Sequence, residues 1–138
     1  MKYLSKQVRF NESDAESAIL KIADLKGSAR AKLLEKILRA ETAHFTSNQY
    51  KLTGSAGMEI GNWQDLPKQH ILGYIIIDDS KKAGLEKFIV WDSVYEFLLY
   101  LSDYIDRYNG KFERWNSLDP VLQANYKKLV NSVTARFV

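Results

Sequence analysis

The spacing of apolar residues changes twice along this chain, and it reads as helices, then a β-hairpin, then helices again. Ala15, Ala18, Ile19, Ile22 and Leu25 recur three and four residues apart, which predicts one face of a helix over residues 14–25. Ser13 and Glu16 match a capping box at its start, and Lys26-Gly27 stops it. A second helix is predicted over residues 28–44. Leu34, Ile37, Leu38 and Phe45 form its stripe, and Arg30, Lys32, Glu35, Lys36 and Arg39 occupy its other faces. Residues 46–69 carry no period; their glycines, amides, hydroxyls and aromatics predict a long structured loop. Ile71 to Asp78 and Lys87 to Trp91 are rich in β-branched and aromatic residues and predict a hairpin with a polar tip over residues 79–84. A third helix over 94–108 starts at Ser93 with Glu96 three residues on, and Asn109-Gly110 ends it. Asp119-Pro120 opens the last helix, whose inner face is read as Val121, Leu122, Tyr126, Leu129, Val130 and Val133.

Composition narrows this picture. The chain has 138 residues, enough for one domain with a real core, and 46% of them are hydrophobic. It has no cysteine, which removes disulfides and thiolate chemistry. A net charge of +3, with the signs well mixed, suits either an anionic polymer or ordinary solubility. No clustered Lys/Arg face favours nucleic acid. No stretch is apolar enough to span a bilayer, and the polar N-terminal residues do not read as a signal peptide. A monomer without membrane insertion is expected. If the substrate lies outside the membrane, export through phage lysis, a virion or a secretion apparatus is the expectation, with a phage or mobile-element source.

One carboxylate breaks the hydrophobic pattern. Glu41 falls four residues after Ile37, three after Leu38 and four before Phe45, so it lies on the inward stripe at the end of the second helix. Burial disfavours the charged form and keeps such a group protonated towards neutral pH. A protonated carboxyl in an apolar cleft is what acid-catalysed glycoside cleavage requires. On periodicity alone, Glu41 fraying into solvent or pairing with Arg39 or Lys51 is the competing reading.

The residues around Glu41 shift that balance. Glu41-Thr42-Ala43-His44-Phe45-Thr46-Ser47 leads into Thr53-Gly54-Ser55-Ala56-Gly57-Met58. This resembles the catalytic segment of the lysozyme-like superfamily, in which a helix ends on a glutamate, followed by a polar loop, a Ser/Gly-rich turn and a glycine–hydrophobic step. The likeness is to lytic transglycosylases and, more closely, to flagellar- and autolysin-type N-acetylglucosaminidases, although Ala43-His44 replaces the usual glycine step. Residues 88–97 are similar to the entry to the helix after the hairpin in the glucosaminidases, and Tyr108 to Ser117 to a transglycosylase segment whose aromatic and asparagine flank the cleft. The resemblance spans roughly residues 33–117. Where transglycosylases carry glutamine after the glycine–hydrophobic step, this chain has Glu59-Ile60.

The resemblance implies a mostly helical α+β domain with a small β-hairpin lobe over a groove, cleaving β-1,4 bonds of peptidoglycan glycan strands with Glu41 as general acid. It nominates Ser47, Tyr50, Gly57, Met58, Glu59, Tyr74, Tyr108, Trp115 and Asn116 as substrate contacts. Trp63 is a further aromatic candidate, since sugar CH groups pack on ring faces. Glu59, Asp78, Asp79, Glu86 and Asp92 remain open as a second carboxylate; transglycosylation would need none. Two histidines, His44 and His70, are too few for a zinc site, so no metal or cofactor is expected. Ser55 follows no strand and fails as a nucleophile elbow. The alternative function is an inactive glycan-binding module on the same scaffold.

Overall fold

The computed structural model describes residues 1–61, 63–78 and 85–138. They form α1 (Glu12–Lys26), α2 (Ser28–Glu41), α3 (Asn48–Thr53), β1 (Ile71–Asp78), β2 (Leu85–Trp91), α4 (Val94–Arg107) and α5 (Pro120–Ser132), with short 3-10 turns at Lys68–His70 and Phe112–Trp115. The architecture is α+β, mostly helical, with a two-stranded antiparallel sheet. No helix among the described residues is long and apolar enough to cross a membrane.

α1 packs on α2 and on α4, and α2 also contacts α5. Ile19, Ile22, Leu34, Ile37, Leu38, Phe97, Leu98 and Leu101 are fully buried where these helices meet. β2 lies between two apolar layers because alternate strand residues face opposite ways. Ile89 and Trp91 join the main core, whereas Phe88 and Val90 pack with Ile75 and Leu4 in a smaller cluster. The hairpin is widened on both sides. Backbone of Lys2 and Leu4 pairs with Tyr74, and backbone of Met58 and Ile60 pairs with Ile89 and Lys87. Gly73 permits the first of these contacts, since a Cβ there would overlap the Lys2 carbonyl oxygen.

Several sequence expectations shift. The box that caps α1 is Asn11 with Asp14, which exchange bonds of 3.1 and 2.8 Å; Ser13 is already inside the helix. α2 ends at Glu41 instead of at residue 44. Thr42 bonds both Leu38 and Phe45, and Ala43, His44 and Phe45 then take positive φ values of 49°, 55° and 68°. Left-handed backbone is unfavourable for such side chains by about 1–2 kcal/mol per residue; burial of Phe45 and the Thr42 bonds oppose that cost. The region read as wholly irregular contains α3, capped by Ser47 at one end and by left-handed Gly54 at the other. Glu35 and Arg39, expected on outer faces, are buried. On α5 only Tyr126 and Val130 are buried, while Val121, Leu122 and Leu129 face outward. The proposed hairpin tip, including Asp79, lies outside the described residues.

Candidate active site

Glu41 is the last residue of α2 and is half-buried. The left-handed turn after Thr42 leads the chain away from the helix end, and the carboxyl borders a cleft lined by Ala56, Gly57, Met58, Trp63, Trp115 and Asn116. Three separate segments therefore converge on it. The first is the turn after α3. Thr53 and Ser55 are buried, their hydroxyls lie 3.1 Å apart, and Ser55 Oγ accepts from the Gly57 amide at 3.2 Å. Gly57 has φ 81°, which suits glycine, and delivers buried Met58 to β2. The second is the loop at Trp63. The third is the 3-10 turn that ends in Trp115, with Asn116 exposed just beyond.

Burial of Glu41 pushes its pKa above the ordinary carboxylate value, and the Tyr126 hydroxyl beside it holds part of that shift back. Tyr126 reaches the acid from α5. Its buried hydroxyl has no well-formed hydrogen bond among the described residues, and both burial and the neighbouring carboxylate raise its own pKa. The two groups thus lie side by side behind the cleft, and the phenol is placed to donate to the carboxylate once it is ionised.

The cleft at Glu41 is small, about 180 Å³. Ligand pockets commonly hold about 300–1,000 Å³. Trp63, however, also borders a depression of about 450 Å³ with Gly57, Glu59 and Ile60, and a larger one of about 650 Å³ beside β1. Its ring lies 5.1 Å from that of Trp115, and its indole N–H donates to the Glu59 carbonyl at 2.7 Å. Trp115 is held from behind by Phe97, Tyr100 and Tyr104. The result is an aromatic seam, anchored in the core, along which the depressions adjoin.

Of the residues nominated from sequence, Glu41, Gly57, Met58, Trp115 and Asn116 meet in one cleft, and Glu59 lines the adjoining depression. Tyr108 lies in a neighbouring depression with Trp63 and Tyr104, and Arg114 stacks on its ring at 4.1 Å. The others lie elsewhere. Tyr50 is fully buried and donates to the Asn11 carbonyl at 2.6 Å, so its ring has no face open to a ligand. Ser47 caps α3. Tyr74 packs edge-on against Tyr3, beneath the Lys87 ammonium. Among the second-carboxylate candidates, Asp92 is engaged by His70 Nδ1 at 2.8 Å, and Glu59 and Glu86 are also partnered. Among the described residues no cluster of His, Asp and Glu could hold a metal. Sequence reasoning did not single out Ala56 or Tyr126 for this site. Tyr126 carried only the signal of an inward helical position.

No family model, curated protein or solved structure matches the chain.

Proposed function

We propose that this protein cleaves β-1,4-glycosidic bonds in the glycan strands of peptidoglycan, on a lysozyme-like scaffold, with Glu41 as the general acid. The observation that carries this reading is the convergence on one half-buried carboxyl of the segments that the sequence resemblance nominates: the Gly57-Met58 step and Trp115-Asn116. A protonated Glu41 would donate its proton to the bridging oxygen as the C–O bond to the anomeric carbon breaks. The departing sugar leaves as an alcohol, and positive charge develops on the remaining ring. The ionised carboxylate left behind then sits beside the Tyr126 hydroxyl, which donates to it. Water or a hydroxyl of the same sugar completes the reaction. Gly57 and Met58 supply a wall close enough for backbone contact with an acetamido group, while Trp63 and Trp115 offer ring faces to sugar CH groups. The polymer lies in the cell wall, so the place of action would be outside the cytoplasmic membrane, with the protein working as a monomer.

Purified sacculi digested with parent protein and with Glu41→Gln test this reading. Glu41→Gln keeps the shape of the side chain and removes the transferable proton. Turbidity loss should slow by roughly 10²–10⁴-fold, the usual contribution of a positioned acid. Mass spectrometry of the fragments then identifies the attacking group, with anhydro ends from a sugar hydroxyl and reducing ends from water. Clearing by Glu41→Gln at close to the parent rate would refute the assignment.

A further inference from the structure

A depression of about 650 Å³ lies beside β1, and the acid does not border it. Trp63, Leu66, Ile71 and Leu72 line it together with Lys2 and Lys68. Both lysines are placed by backbone. The Lys2 carbonyl accepts from the Tyr74 amide at 2.9 Å, which fixes the N-terminal segment along β1. Lys68 opens the 3-10 turn that leads into β1, and the Pro67 carbonyl accepts from the His70 amide at 2.8 Å to close that turn. Among the described residues neither ammonium pairs with a carboxylate. The one acidic lining residue, Asp65, is highly exposed, and its carboxylate lies 3.8 Å from the Arg107 guanidinium. The depression is therefore amphipathic and cationic. It meets the Glu41 cleft at a shared wall, Trp63.

We propose that this depression is an accessory subsite for the anionic peptide arm of the glycan strand, with Lys2 and Lys68 reading carboxylates of the arm and Trp63, Leu66 and Leu72 packing its aliphatic part. The inference rests on the glycan-cleaving reading and adds a specificity to it. Peptidoglycan carries a lactyl-linked peptide on alternate sugars, so a strand lying over the Trp63–Trp115 seam brings such an arm to one side of the groove. A strand whose arm has been hydrolysed at its amide keeps only the lactyl carboxylate and has no aliphatic arm with further carboxylates to place there. The protein should therefore distinguish strands that keep their arms from strands that have lost them. The discrimination should weaken with salt, because the lysines are exposed and their attraction is screened over about 8–10 Å at physiological ionic strength.

Calorimetry with the non-cleaving Glu41→Gln protein tests this. The ligands are soluble glycan strands freed of secondary wall polymers, used intact or after an amidase has removed their peptides. Intact strands should bind on the order of tenfold more tightly, the scale of two exposed ion pairs. Lys2→Glu combined with Lys68→Glu should bring the two ligands to equal affinity, with thermal melts checking that the fold persists. Equal binding of both strands to the protein with its lysines intact overturns the subsite while leaving the glycan reading standing. A preference that survives charge reversal also overturns it. Failure of either strand to bind, together with failure of the parent to clear sacculi, overturns the glycan reading itself.

Discussion

At the residue scale, the proposed chemistry depends on what Glu41 meets when it turns inward. Burial raises its pKa, and Tyr126 donates towards its charged form and lowers it. In the proposed reaction the acid works only while protonated, so kcat/KM should fall as pH rises through the raised Glu41 pKa. Tyr126→Phe removes the donor and retains the ring. The pKa of Glu41 should then rise further, and the alkaline limb of the profile should move to higher pH. Stability should hardly change, because the lost hydroxyl is buried without a well-formed bond. A limb that stays in place in Tyr126→Phe would show that the phenol does not set the acid. The position of Glu41 was legible in the sequence, because a carboxylate on a 3.6-residue stripe stands out. Its partner was not, because Tyr126 lies 85 positions later and reads as one more apolar residue of the last helix.

At the element scale, α2 is tied to the C-terminal tail by a buried carboxylate that patterning assigned to solvent. Glu35 accepts from Arg39 Nε at 2.7 Å and from the backbone amides of Arg136 and Phe137 at 2.6 and 3.0 Å. Phe45 and Phe137 stack at 5.7 Å, and the Arg39 guanidinium lies over both rings, within 5 Å of each. The anchor joins the end of α2, the left-handed turn after it and the tail, and so supports the backbone from which Glu41 projects. Glu35→Ala leaves a buried guanidinium and two amides without their acceptor. It should cost about 3–5 kcal/mol, read as a lower midpoint in urea denaturation. A loss under about 1 kcal/mol would mean that the tail contributes little to holding α2. Helical period shows which residues share a face. It cannot show that a distant chain end covers a polar face, so Glu35 and Arg39 were misread. The outward turn of Leu122 and Leu129 on α5 has the converse origin: the apolar face is there in the sequence, but α5 meets α2 and the Phe112–Trp115 turn through only part of it.

At the scale of the molecule, the groove is assembled from segments with little local signal. The helices and hairpin were legible because each repeats its period over several turns or alternations, and Ser93 and Asp119 cap α4 and α5 as read. The loop residues that line the cleft carry no period. Their placement depends on backbone pairing of Met58 and Ile60 with β2 and on the packing of Trp63 against Trp115. The three tryptophans offer a direct test of that seam. Trp91 is fully buried, whereas Trp63 and Trp115 are half-buried at the groove. A collisional quencher in solution should therefore reach the fluorescence of the latter two and leave that of Trp91. Saturating N-acetylated sugar oligomers should protect the accessible fraction. In Trp63→Phe that protected fraction should fall by roughly half, since one of the two exposed indoles is gone while a ring remains to pack on Trp115. Quencher access that is unchanged by bound oligomer would move the proposed binding face away from the seam and separate Trp63 from the chemistry proposed at Glu41.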